Sequence, residues 1–140
     1  MKRFSTVLLV LSIFVLGACV EGCGKEYKIE PATKTQIDLI NSALDSGHSV
    51  GRASYIKSEH HNCTYYIGAT IYTLDKGSVL TLWATNVGPQ CKSVGLLFSV
   101  NELAYELSGM GKGENTKAKV RRSDPEAQAL IRYFNLKYDY

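Results

Sequence analysis

The densest group of side chains able to bind a metal or move a proton is Glu59-His60-His61-Asn62-Cys63. Imidazole and carboxylate are good ligands for zinc or copper. A metal-dependent hydrolase using Glu59, His60 and His61 is therefore the enzymatic reading of this chain. Two features weigh against it. Neighbouring residues on an extended strand point to opposite faces, so His60 and His61 rarely share one ion. No H-E-x-x-H spacing is present either. The plainer reading is a solvated hairpin tip, so we assign no metal ligands and no cofactor.

Gly47-His48-Ser49-Val50-Gly51 fits the G-x-S-x-G pattern of serine hydrolases. That motif needs a strand before it and a helix after it, and a histidine late in the chain. Here the local order is helix then strand, and no histidine follows His61. Gly109-Met110-Gly111-Lys112-Gly113 has the glycines of a phosphate loop, but Gly113 stands where the P-loop needs Ser or Thr. No catalytic residue is assigned from either motif. Lys112, Lys117, Lys119, Arg121 and Arg122 crowd the segment that follows. They form either a solvated loop or a set of contacts to an anionic surface, where each charge is worth about 1 kcal/mol. Tyr66, Tyr72 and Trp83 fall opposite the expected core stripes. They would form an exposed aromatic partner surface if helices cover only one face of the sheet.

The elements that carry these residues follow from periodicity. Thr33-Lys34-Thr35-Gln36 is a capping box, and Ile37, Ile40 and Leu44 continue it as one apolar face. This predicts a helix over 33–46, with Gly47 as its left-handed cap. Strand-like runs follow at 50–58, 64–74, 78–85 and 94–98. In the second, Tyr65, Ile67, Ala69 and Ile71 alternate with Tyr66, Thr70 and Tyr72. Asp75-Lys76-Gly77 is the expected hairpin turn. Ser99 to Glu102 reads as a second capping box, with Gly109 closing its helix. Ser123-Asp124-Pro125-Glu126 starts a third helix whose apolar residues are Ala127, Leu130, Ile131 and Phe134. The expected fold is a small single α+β domain over 31–140. It is a four-stranded antiparallel meander with an N-terminal helix and two C-terminal helices, all helices on one face.

Composition limits the rest. The chain has 140 residues, with 16 Lys and Arg against 13 Asp and Glu. It holds one domain of ordinary size. Lys2 and Arg3 precede an uncharged apolar run, Val7 to Gly17, the layout of an export signal. A retained transmembrane anchor is the other reading, but the uncharged stretch from Phe4 to Val20 is at the short limit for a span. Without Lys2 and Arg3 the balance is 14 basic to 13 acidic residues. A charge so near zero disfavours nucleic acid as a partner.

The apolar run ends in Leu16-Gly17-Ala18-Cys19. Here the chain resembles bacterial lipoproteins, whose lipobox is a Leu, two small residues and a Cys. The resemblance covers the signal and Cys19 only. It implies a lipoprotein signal peptide over 1–18, cleavage before Cys19 and lipidation of the Cys19 thiol. Ordinary signal-peptidase cleavage after a small residue is the alternative. Val20 stands where an Asp would retain such a protein at the inner membrane, so the family pattern points to the outer membrane, facing the periplasm. Two or three acyl chains give stable anchoring.

Residues 19–30 read as a tether that reaches at most about 40 Å when extended. The bacterial cell envelope is oxidising, so a disulfide is expected among Cys23, Cys63 and Cys91. Cys63–Cys91 is favoured because both residues flank strand-like runs, and Cys23 pairing with either stays open. The functional expectation is a non-enzymatic, lipid-anchored envelope protein that binds membrane lipid through acylated Cys19 and another envelope protein through its domain.

Overall fold

The computed structural model describes residues 25–91 and 94–137. The signal segment, Cys19, Cys23 and the last three residues lie outside them. The helix and strand order is β1 (Glu30–Pro31), α1 (Lys34–Ala43), β2 (Ser49–Lys57), β3 (Tyr65–Thr73), β4 (Gly77–Thr85), β5 (Leu97–Ser99), α2 (Glu102–Ser108), a 3₁₀ turn at Gly113–Asn115, and α3 (Pro125–Lys137). The strands form one antiparallel sheet in the order β1-β2-β3-β4-β5.

This is an α+β domain with an antiparallel meander, but with five strands instead of four. The additional strand is β1, which pairs Glu30 with Tyr55 and Pro31 with Ser54. Proline is tolerated there because β1 is an edge. The segment read as a tether is thus shorter than expected. Lys25 pairs with Glu59, and Tyr27 and Ile29 pack against the core beneath α3.

Local signals explain most of the elements. The Thr33 hydroxyl accepts from the Gln36 amide at 3.2 Å, and the Gln36 side chain returns to the Thr33 amide at 3.0 Å. That reciprocal box starts α1. The helix stops at Ala43, with Leu44 extended as its cap, so Gly47 (φ +90°) belongs to the following loop and does not cap the helix. The second capping box does not form. Ser99 still belongs to the sheet, opposite Trp83. Asn101 caps α2 instead, its Oδ1 accepting from the Ala104 amide at 3.1 Å. The same Oδ1 takes the Leu82 amide at 3.0 Å, and Nδ2 donates to the Leu80 carbonyl at 3.2 Å. One side chain therefore ends the β4 edge and begins a helix.

Helices cover both faces of the sheet, contrary to the one-sided expectation. Tyr65, Ile67, Ala69, Ile71 and Trp83 form one core with Ile40 of α1 and with Ala104 and Leu107 of α2. Tyr66, Leu80, Leu82 and Ala84 form the other with Ala127, Leu130 and Phe134 of α3. The β3–β4 register decides this, since it pairs Ile67 with Trp83 and Gly68 with Leu82. The stripes on the two strands thus face opposite ways. Gly68 lets α3 approach closely, because a Cβ there would lie 2.7 Å from Phe134 Cε2.

Candidate functional site

Glu59, His60 and His61 sit on the loop between β2 and β3, and the structure sends them to three different partners. Glu59 pairs with Lys25. His60 Nδ1 lies 3.0 Å from Glu126 Oε1. His61 Nε2 lies 3.6 Å from Asp124 Oδ2. Among the described residues no three His, Cys, Asp or Glu side chains converge as a metal site would require. The hydrolase reading therefore lacks its ligand set.

The arrangement is a loop folded over the start of α3. Glu126 is fully buried, and its Oε1 accepts from the Ser58 hydroxyl at 3.0 Å and the Glu59 amide at 3.1 Å, besides meeting His60. Ser58 Oγ also accepts from the His60 and His61 amides, at 3.2 and 3.0 Å. Tyr66 donates to Asp124, whose Oδ2 also accepts from the Arg121 amide at 2.8 Å. Burial alone would push the Glu126 carboxyl up. Hydrogen bonds from His60, from its own and the Glu59 amides and from Ser58 outweigh that, so it is held below the ordinary carboxylate value. Burial first, and the Asp124 hydrogen bond second, push the Tyr66 phenol up.

Ser58, His60 and Glu126 are the residue types of a catalytic triad, but their bonding differs from one. A nucleophilic serine gives its proton to an imidazole nitrogen, while the acid holds the other nitrogen. Here the serine hydroxyl donates straight to the carboxylate and is itself held by two amides. The group is a polar clasp between the β2–β3 loop and α3. The sequence presents Glu126 as a helix-start residue, and Asp124 as a helix cap and a counter-charge to the basic loop. The available signal was a second carboxylate just ahead of the apolar run at Ala127, on a turn bound to pack inward.

The Cys63–Cys91 disulfide is present, with Cα atoms 5.6 Å apart, and it ties the clasp loop to the turn after β4. Near it is a cleft of about 580 Å³ between residues 26–30 and the β2 edge. Its lining includes Tyr27, Tyr55, Tyr65, Lys57, Glu59 and Gln90. Several of its polar groups are already paired. The Tyr55 hydroxyl donates to Glu30 at 2.7 Å, the Tyr65 hydroxyl accepts from the Gln90 amide at 3.0 Å, and Lys57 bonds the Gln90 side chain.

The aromatic partner surface does not exist as an exposed patch. Trp83 is fully buried beneath α1 and α2, with its indole N–H on Thr81 Oγ1 at 2.7 Å, and Tyr66 is buried on the α3 side. Tyr72 alone of the three is exposed. The five basic residues also divide. Lys112 pairs with Glu102 at 2.8 Å and lies over the Tyr105 ring, whereas Lys117, Lys119, Arg121 and Arg122 are exposed. Ser49 is the exposed first residue of β2, and no His or acid among the described residues is hydrogen-bonded to its side chain. Among the described residues no helix is long and apolar enough to cross a membrane. Comparison of the chain with family models, curated proteins and solved structures finds no significant match to any of them.

Proposed function

We propose that this chain is a bacterial envelope lipoprotein, acylated at Cys19, whose domain is a non-enzymatic binding or accessory module. The observation that carries the proposal is the N-terminal sequence, Lys2-Arg3, then the apolar run, then Leu16-Gly17-Ala18-Cys19. The disulfide supports it, because such bonds persist in oxidising compartments. Anchoring acts by confinement: a domain held at a surface meets a partner there at raised effective concentration. Val20 favours the outer membrane over the inner one. The recessed surface between residues 26–30 and β2 is the place for a partner, since it lies beside the chain's path to the anchor.

Cells expressing the full chain are fed a clickable palmitate analogue. The wild type is expected to carry label that Cys19→Ala loses. Absence of label on the wild type, or equal label on both, removes the anchor. Crosslinking of the tethered protein, followed by mass spectrometry, then identifies the partner in the envelope.

A further inference from the structure

One end of the domain gathers the groups that a charged bilayer surface would engage. The chain arrives at that end, where Lys25 pairs with Glu59 on the β2–β3 loop. Lys25 follows Cys19 by six positions, a reach of about 20 Å. On the other side of the same loop, Lys117 lines a shallow cleft with Asn62, Cys63 and Leu96. The Arg121 amide bonds the Asp124 carboxylate that also meets His61, 3.6 Å away. Lys117, Lys119 and Arg121 are exposed and make no ion pair among the described residues.

The acids nearby offset only part of this charge. Glu59 is paired with Lys25, while Glu126 lies fully buried and Asp124 half-buried beneath the loop, and Glu26 is exposed beside Lys25. Glu114 is the exposed counter-charge in the adjoining 3₁₀ turn. Within residues 112–122, Lys117, Lys119, Arg121 and Arg122 are exposed against Glu114 as the one exposed acid, so the loop itself carries an excess of positive charge. Val94 and Leu96 are 85% and 49% exposed. Leu96 lines the Lys117 cleft, so apolar side chains stand beside the cations.

We propose that this end of the domain rests on an anionic lipid surface, with Lys117, Lys119 and Arg121 contacting headgroup phosphates. The acyl chain places the domain at the bilayer, and the basic loop sets which face it turns there. The orientation rests on the proposed anchoring, but the affinity of the loop for headgroups does not. Near an anionic leaflet each such charge contributes roughly fivefold in affinity. The three together contribute about a hundredfold, and salt screens the effect.

The test uses the chain from residue 19 with Cys19→Ser, which keeps every described element and carries no lipid. Binding is measured by co-sedimentation with vesicles of phosphatidylcholine alone and of equal parts phosphatidylcholine and phosphatidylglycerol. Binding to the anionic vesicles only, reversed by high salt, is expected. The triple variant Lys117→Gln, Lys119→Gln, Arg121→Gln should bind about a hundredfold more weakly with an unchanged near-ultraviolet circular dichroism spectrum. Lys76→Gln, in the β3–β4 turn at the far end of the sheet, should bind like the parent. Equal binding to both vesicle types overturns the proposal, as does a triple variant that binds like the parent. Absence of vesicle binding with tight retention on duplex DNA overturns it in favour of a nucleic acid. Because this protein lacks the acyl chain, the result is independent of the palmitate experiment, and either reading can fail alone.

Discussion

Replacing Glu126 with Gln removes one charge from the clasp and puts an amide NH2 where the buried Oε2 has no hydrogen-bond partner; the second change is independent of pH. The side chain keeps its shape, and Gln Oε1 can still accept from Ser58, Glu59 and His60, the three donors found at 3.0, 3.1 and 3.0 Å. Hydrogen bonds to a charged acceptor contribute about 1.5–3 kcal/mol, against about 0.5–1.5 for neutral pairs. Three such bonds lose roughly 3 kcal/mol together. Relief of the burial penalty on the carboxylate returns part of this. A net loss of about 2 kcal/mol at neutral pH is expected, or about 1 M in the urea midpoint for a domain of this size.

The pH dependence isolates the charge. The folded Glu126 carboxyl lies below its ordinary value of 4.5, so its contribution is present above that pH. It is lost as pH falls through the folded value. The gap between wild type and Glu126→Gln should therefore be full at neutral pH and narrow in strong acid to its pH-independent part. Urea unfolding followed by tryptophan fluorescence measures it, since Trp83 is fully buried. A gap that stays constant into strong acid would refute the electrostatic account. A Gln variant more stable than wild type would show that the burial penalty wins.

Gly68→Ala should cost about 1–3 kcal/mol through overpacking, because its Cβ would lie 2.7 Å from a fully buried Phe134 ring; the cost should shrink in a Phe134→Ala background, and an equal cost there would exclude the clash. Cys63→Ser with Cys91→Ser should lower stability by about 3.6 kcal/mol, the chain-entropy value for a loop of 28 residues' separation; a loss under about 1 kcal/mol by urea unfolding would mean that the reduced chain is already constrained. Asn101→Ala should cost about 2–3 kcal/mol, since it orphans the Leu82 amide and the Leu80 carbonyl and uncaps α2. Hydrogen exchange should then quicken at both Leu82 and Ala104, and quickening at only one would break the assigned double role. Burial first, then the Glu30 carboxylate, raise the Tyr55 phenol to about 12. The stability from this shift is full below pH 10 and declines toward about pH 12. Tyr55→Phe should flatten that decline in denaturant midpoints, and an unchanged slope would assign it to another group.

Local chemistry was readable wherever a signal was complete within a few residues. Thr33 and Gln36 close a box three residues long, and both halves of it form. The alternation from Tyr65 to Ile71 assigns each side chain to a face without knowledge of what lies above it. Ser99 to Glu102 matched the same box, yet Ser99 is held by a longer-range demand. It pairs with Trp83 in the sheet, and its hydroxyl donates to the Met110 carbonyl at 3.0 Å. The helix then starts from Asn101, two residues later. β1 was unreadable because two residues containing a proline have no period, and only its pairing with Ser54 and Tyr55 makes it a strand.

The aromatic patch failed on a point that arithmetic could have caught. Thr73 pairs with Gly77 across a three-residue turn. Odd-numbered residues of β3 therefore oppose odd-numbered residues of β4, and Trp83 joins Ile67 and Tyr65. Leu80, Leu82 and Ala84 must then face the other way, and a second apolar face demands a second helical cover. α3 supplies that cover. Its arrival is what buries Glu126, 68 residues from Ser58 in the chain. The local pattern shows an acid on an inward-packing turn but not its partners, because the carboxylate is held by the Ser58 hydroxyl, the Glu59 amide and His60 of a loop that has no regular structure of its own. The histidines that looked like ligands are the outer part of that loop. Their neighbours at Ser58 and Glu59 hold the charge, which is why the site is legible in the hydrogen bonds of the fold and not in the spacing of His60 and His61.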